Sequence, residues 1–149
     1  MKIAMVLLDD FDNNVLGRSF DKIVVRKNTI TVFNDGKVGL YNSSDFSLIL
    51  ECVWDSILES TFGVVALAQT KSAFYSYTGQ CILKCEWDKI KVTNEGLIVF
   101  NDGKQGFYSF DGKCIFDCAY KRVESYTSAI LAFKDKKRYV YNIKKGKFE

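Results

Sequence analysis

The chain has 149 residues, of which 48% are hydrophobic, 15% aromatic and none proline, and it carries a formal net charge of +3. That length and apolar content suit one domain with its own core and exclude a disordered chain. No stretch approaches the roughly 20 apolar residues that cross a bilayer, so no membrane partner is expected.

At the N-terminus, residues 3–8 form an apolar run that ends at Asp9-Asp10. A secretory core needs about 7 to 15 apolar residues, so the run reads as a first strand and the expected location is cytoplasmic. The cysteines number five. An odd count without a leader favours reduced thiols over a disulfide framework. The stretch Asp9-Asp10-Phe11-Asp12-Asn13-Asn14 lacks the glycine and closing glutamate of a calcium loop, and reads as a polar turn between strands.

Beyond this point the chain repeats itself. Phe33-Asn34-Asp35-Gly36-Lys37-Val38-Gly39-Leu40-Tyr41 returns 67 residues later as Phe100-Asn101-Asp102-Gly103-Lys104-Gln105-Gly106-Phe107-Tyr108, with seven of nine positions identical. Residues 67–75 and 133–141 carry weaker copies, which sets the period at about 33. An aromatic landmark precedes each hairpin: Phe20-Asp21, Trp54-Asp55, Trp87-Asp88 and Tyr120-Lys121. Four repeats follow, 20–53, 54–86, 87–119 and 120–149, with 1–19 matching the back half of a preceding unit. Together they are expected to form one repeat domain over 1–149.

In the third repeat, 97–101 and 105–110 flank Asp102-Gly103, a pair suited to a tight hairpin whose glycine has φ > 0. Asp111-Gly112 then turns the chain into 114–118, and 88–92 adds a short extended piece. Each unit is therefore expected to hold three or four antiparallel strands. One such unit cannot bury its apolar face alone, so the copies must stack. The expected fold is all-β, an open or partly closed array of hairpin units, with a small propeller as the alternative.

The stretches Lys37-Val38-Gly39-Leu40-Tyr41, Lys104-Gln105-Gly106-Phe107-Tyr108 and Asp111-Gly112-Lys113-Cys114-Ile115 resemble the bacterial WG-repeat family over nearly the whole chain. The family's signature tryptophan is here Val38, Ser72, Gln105 and Arg138, and the following glycine is Ala73 and Tyr139 in two units. The resemblance implies a scaffold for binding other molecules, with no shared catalytic residues or cofactor.

Two Cys-x3-Cys pairs, Cys81/Cys85 and Cys114/Cys118, could place thiolates on neighbouring strands for zinc. Cys81 and Cys114 occupy equivalent repeat positions, however, as do Cys52, Cys85 and Cys118. Because free cysteine is usually buried, core packing is expected and no metal. The same logic assigns Trp54 and Trp87 to a repeated core layer with Phe20 and Tyr120, and Tyr41, Tyr75, Tyr108 and Tyr141 to a packed ladder. With no histidine in the chain and no evident nucleophile–base pair, no enzyme activity and no cofactor are expected.

Charge is concentrated in the last repeat, where Lys136, Lys137 and Arg138 lie in a run of seven cations over 134–147 against Asp135 alone. Such a patch suits an acidic surface or nucleic acid, although lysines on a terminal strand also protect an open edge. Binding is expected where the repeats diverge. Those loops hold Arg26, Lys27, Phe62, Glu95 and Tyr126, and a one-residue insertion exposes Phe46. The expected function is a non-catalytic protein-binding module, with a free-standing inhibitor or immunity-type protein as the form it suits. The alternative is a module that binds a nucleotide, saccharide or nucleic acid.

Overall fold

The computed structural model describes residues 4–149. These residues are all-β, forming four four-stranded antiparallel sheets, each in chain order and none closed into a barrel. The first sheet comprises β1 (Lys22–Val25), β2 (Thr29–Asn34), β3 (Lys37–Asn42) and β4 (Leu48–Trp54). The second comprises β5 (Ser56–Glu59), β6 (Val64–Ala68), β7 (Lys71–Tyr75) and β8 (Cys81–Trp87). The third has β9 (Lys89–Val92), β10 (Leu97–Asn101), β11 (Lys104–Tyr108) and β12 (Cys114–Tyr120). In the fourth are β13 (Arg122–Ser125), β14 (Ala129–Lys134), β15 (Lys137–Asn142) and β16 (Lys147–Phe148).

The central hairpins turn where the sequence places Asp-Gly. Asp35-Gly36 has φ of 50° and 76°, and Asp102-Gly103 has 50° and 74°. Two successive left-handed residues give the turn a twist that matches its strands. Of the strand expected over 3–8, Ile3 lies outside the described residues, and the rest makes only isolated bridges, Met5 to Phe20 and Leu8 to Asn14. The Asp9 carboxylate organises the intervening turn by accepting the N–H groups of Phe11 at 2.9 Å and Asn13 at 3.0 Å.

The apolar faces are buried between consecutive sheets. Leu40 and Leu50 meet Val64 and Ala66; Phe74, Leu83 and Trp87 meet Leu97 and Val99; Phe107 and Phe116 meet Ile130 and Ala132. Leu16 and Phe20 cover Ile30 and Val32 of the first sheet. None of these clusters joins the fourth sheet to the first. Landmark aromatics cross the same boundaries: Trp54 meets Tyr75 and Trp87 meets Tyr108 edge-on, at centroid separations of 5.7 and 5.4 Å. Phe20 makes the same contact with Tyr41. Phe20 and Trp87 are core residues, whereas Trp54, Tyr120 and the four tyrosines are half-buried. In the last sheet the pattern shifts, because Tyr120 meets Tyr139 and Tyr141 meets Phe148.

The expected burial of the cysteines is corrected. Cys81, Cys85 and Cys114 are exposed, and Cys52 and Cys118 are half-buried. The outer strands are bulged, so that Leu83 pairs with Phe74 and Trp87 with Ser72. Four steps along β8 are thereby matched to two along β7, which breaks strict alternation of faces. Leu83 and Trp87 take the inward positions and the flanking cysteines turn out. The bulge also requires a small residue beneath it. A Cβ on Gly39 or Gly106 would lie 2.8 Å from the backbone N of Cys52 or Cys118. The second sheet has Ala73 at this place and the fourth has Tyr139, over which no long outer strand runs: β16 pairs only with Tyr141 and Asn142.

Candidate partner-binding surface

The four divergent loops share one backbone geometry. A first-position N–H bonds the carbonyl three residues on: Arg26 to Thr29, Ser60 to Gly63, Thr93 to Gly96 and Tyr126 to Ala129, at 2.8–2.9 Å. In the middle two loops the Ser60 and Thr93 hydroxyls also accept the Gly63 and Gly96 N–H groups at 3.2 and 3.1 Å. Such hydroxyl-closed turns hold their shape independently of the other side chains, which frees the loop sequence to vary.

The structure brings the first two loops together. Arg26, Lys27 and Asn28 share a cleft of about 640 Å³ with Ser60, Thr61 and Tyr77. The Arg26 guanidinium donates to the Thr31 hydroxyl and lies 3.9 Å from a Glu59 carboxylate oxygen. Glu59 also accepts from Thr29 at 2.9 Å, so it ties the first sheet to the second. Tyr77 donates to the Ser60 carbonyl at 2.5 Å. Burial, reinforced by the Glu59 charge, pushes its phenol up, and it stays a protonated donor at neutral pH. The third and fourth loops are linked in a parallel way. Ser125 donates to Glu95 at 2.7 Å and lies 3.0 Å from the Thr93 hydroxyl.

The remaining candidates differ in their suitability as contacts. Phe62 is not a free anchor, because its ring stacks on Phe110 of the third sheet at 4.4 Å and 16°. Tyr126 is 51% exposed, and its hydroxyl donates to Glu124 at 3.0 Å. That bond to a carboxylate raises the phenol pKa. Phe46 sits at φ 60° in the β3–β4 turn, where the matching β15–β16 turn has Gly146 at φ 65°. Both residues return an N–H to an asparagine carbonyl four residues back, at 2.9 Å from Phe46 to Asn42 and 2.8 Å from Gly146 to Asn142. A phenylalanine in the left-handed region is strained by about 1 kcal/mol or more. Its turn is fastened to the first loop, with the Ser43 hydroxyl donating to the Lys27 carbonyl at 2.7 Å. Lys136, Lys137 and Arg138 surround a separate hollow at the far hairpin tip. Since β16 is short, Lys137 and Arg138 also lie on the unpaired part of the β15 edge.

Sequence reasoning missed Tyr77 and Phe110. The available signal was their equivalence, 33 residues apart, with Ile143 as the next member. All three pack against the intersheet clusters from the turn before an outer strand. Among the described residues no three His, Cys, Asp or Glu side chains converge as metal ligands, and no helix is long and apolar enough to cross a membrane.

Two aspartates near the hairpin tips add pH dependence. Lys37 and the Gln69 N–H hold the Asp55 carboxyl below the usual range, and Lys71 and the Asp102 N–H do so for Asp88. A depressed folded pKa stabilises the protein above the unfolded value of about 3.9, and this stability is lost as pH falls through the folded pKa. Asp88→Asn is therefore expected to flatten the fall in melting temperature between about pH 5 and about pH 2. An unchanged acid slope in that variant would remove Asp88 from the account.

By fold the chain is a repeat protein of successive four-stranded antiparallel sheets. No family profile and no curated protein matches it. Among solved structures it is similar to a chain from an S. cerevisiae complex described as dbp5 bound to nup159, gle1, ip6 and adp. That similarity has a TM-score of 0.41 at 11% identity, and covers 85% of this chain and 41% of the other.

Proposed function

We propose that the chain is a non-catalytic protein-binding module acting in the cytoplasm, of the inhibitor or immunity type, in line with its resemblance to WG-repeat scaffolds. The observation that supports this reading is the cleft in which two divergent loops meet across a sheet boundary. The repeat holds the loop backbones constant while their side chains change, the arrangement by which a rigid scaffold presents a variable contact surface. The strained, partly exposed Phe46 sits in a turn fastened to the same loop.

The test is capture of a partner by the immobilised full chain, with contacts then assigned by substitution. Lys27→Ala and Tyr126→Ala are expected to change stability by no more than about 0.5 kcal/mol. Loss of a true interface anchor weakens binding by roughly thirtyfold, the equivalent of about 2 kcal/mol. Phe62→Ala should instead lower the melting temperature, because it uncovers Phe110. Normal capture by the first two variants would move the interface away from the loops. Salt-sensitive retention of nucleic acid in place of protein would favour the alternative class.

A further inference from the structure

In the first three sheets one aspartate beside the landmark aromatic organises the hairpin tip. Asp21, Asp55 and Asp88 donate their backbone N–H to Phe33, Leu67 and Phe100 at 2.8, 2.8 and 2.9 Å. Their carboxylates accept the turn N–H of Asp35, Gln69 and Asp102 at 2.9, 2.6 and 2.9 Å. In Asp55 and Asp88 the second carboxylate oxygen takes a lysine of the preceding sheet, Lys37 or Lys71. One carboxylate thus bridges a backbone N–H and an ammonium, both in charge-assisted hydrogen bonds.

The fourth sheet keeps this frame and loses the carboxylate. Lys121 donates its backbone N–H to Phe133 at 2.9 Å, as the three aspartates do to their partners, so the difference lies in the side chain. An ammonium has three donors and no acceptor. It can neither receive the N–H of Asp135, the first residue of the β14–β15 turn, nor neutralise Lys104, which holds the repeat position of Lys37 and Lys71. The place is a hollow of about 350 Å³ lined by Lys121, Lys134, Lys136, Lys137 and Arg138, with Asp135 as its single carboxylate.

We propose that this hollow receives an aspartate or glutamate side chain of a partner protein, which supplies from outside the carboxylate that the repeat omits here. The proposal rests on the protein-binding reading and names the chemistry of one contact. A carboxylate fits because the tip already binds one in each of the other sheets, with one oxygen on the turn N–H and, in two of them, the other on a lysine. The cation-rich run from Lys134 to Lys147 lies within the last repeat, whereas nucleic acid needs a track of cations along its backbone.

The test uses the full chain and two peptides, one rich in Asp and Glu and its Asn/Gln counterpart, titrated at low salt while the Asp135 amide resonance is followed. The acidic peptide is expected to bind and shift that resonance, and the amide peptide to do neither. Lys121→Asp restores the internal carboxylate, and should weaken acidic-peptide binding at least tenfold while raising the melting temperature. Lys121→Asn, which offers a neutral acceptor, should lose less. Equal binding by wild type and Lys121→Asp would overturn the proposal, as would inorganic phosphate binding more tightly than the acidic peptide. If the captured partner is lost by Lys27→Ala but retained by Lys121→Asp, the protein-binding reading stands and this contact falls.

Discussion

Trp87→Ala is expected to destabilise the protein by roughly 3–5 kcal/mol, the range for truncating a buried large aromatic. Trp87 is 8% exposed and ends the outer strand of the second sheet. There it packs on Leu83, Ile90, Leu97 and Val99 and meets Tyr108 edge-on. The loss therefore falls on the boundary between sheets rather than within one. A typical domain is stable by only about 5–15 kcal/mol, so the variant should melt far below wild type or fail to fold. Trp87→Phe should recover most of the loss. Its ring still fills the layer, and it removes the indole N–H, which is buried without a hydrogen-bond partner and carries a cost of about 1–3 kcal/mol. Trp54→Ala should cost less than Trp87→Ala because Trp54 is only half-buried. Denaturant unfolding of the three variants is the measurement, and a Trp87→Ala loss under about 1 kcal/mol would refute the intersheet role.

Deleting 54–86 as a block should yield a folded, shorter array, while deleting 54–70 should yield an unfolded chain. The block deletion joins Val53 to Trp87-Asp88 and keeps the repeat in phase. An aromatic again ends the first sheet's outer strand, and Lys37 meets Asp88 where it met Asp55. The new boundary sets Leu97 and Val99 where Val64 and Ala66 had packed on Leu40 and Leu50. That added volume should cost about 1–3 kcal/mol through overpacking. The half deletion removes Val64 and Ala66, on which Leu40 and Leu50 close, and strips β7 of its partner β6, so two strands stand where a whole sheet must fill the space between the first and the third. Far-ultraviolet circular dichroism with a thermal melt separates the two outcomes. A cooperative transition in the half deletion would show that the sheets are not the stacking units.

The candidate surface is only partly legible in the sequence. Arg26, Lys27, Glu95 and Tyr126 fall in loops that the repeat alignment marks as divergent. That the first two share a cleft with Tyr77 follows from how one sheet lies on the next. Phe62 reads as a loop aromatic in the alignment and proves to be a packing residue, because the turn of another sheet delivers Phe110 to it. Such contacts join residues 48 positions apart, beyond the reach of any local pattern.

The period, the all-β class and the hairpin turns at Asp35-Gly36 and Asp102-Gly103 are legible in the chain's own pattern, since these depend on local residue types and spacing. The tertiary structure alone decided which face of each outer strand points inward. The bulge over Ala73 interrupts the two-residue alternation and turns Leu83 and Trp87 in and Cys81 and Cys85 out, as the bulge over Gly106 turns Phe116 in and Cys114 out. It also decided the meaning of Lys121. In the alignment that residue is one substitution among many, but in the fold it stands where three aspartates each bind a hairpin tip, because pairing of the first two strands of each sheet brings the landmark and the turn together.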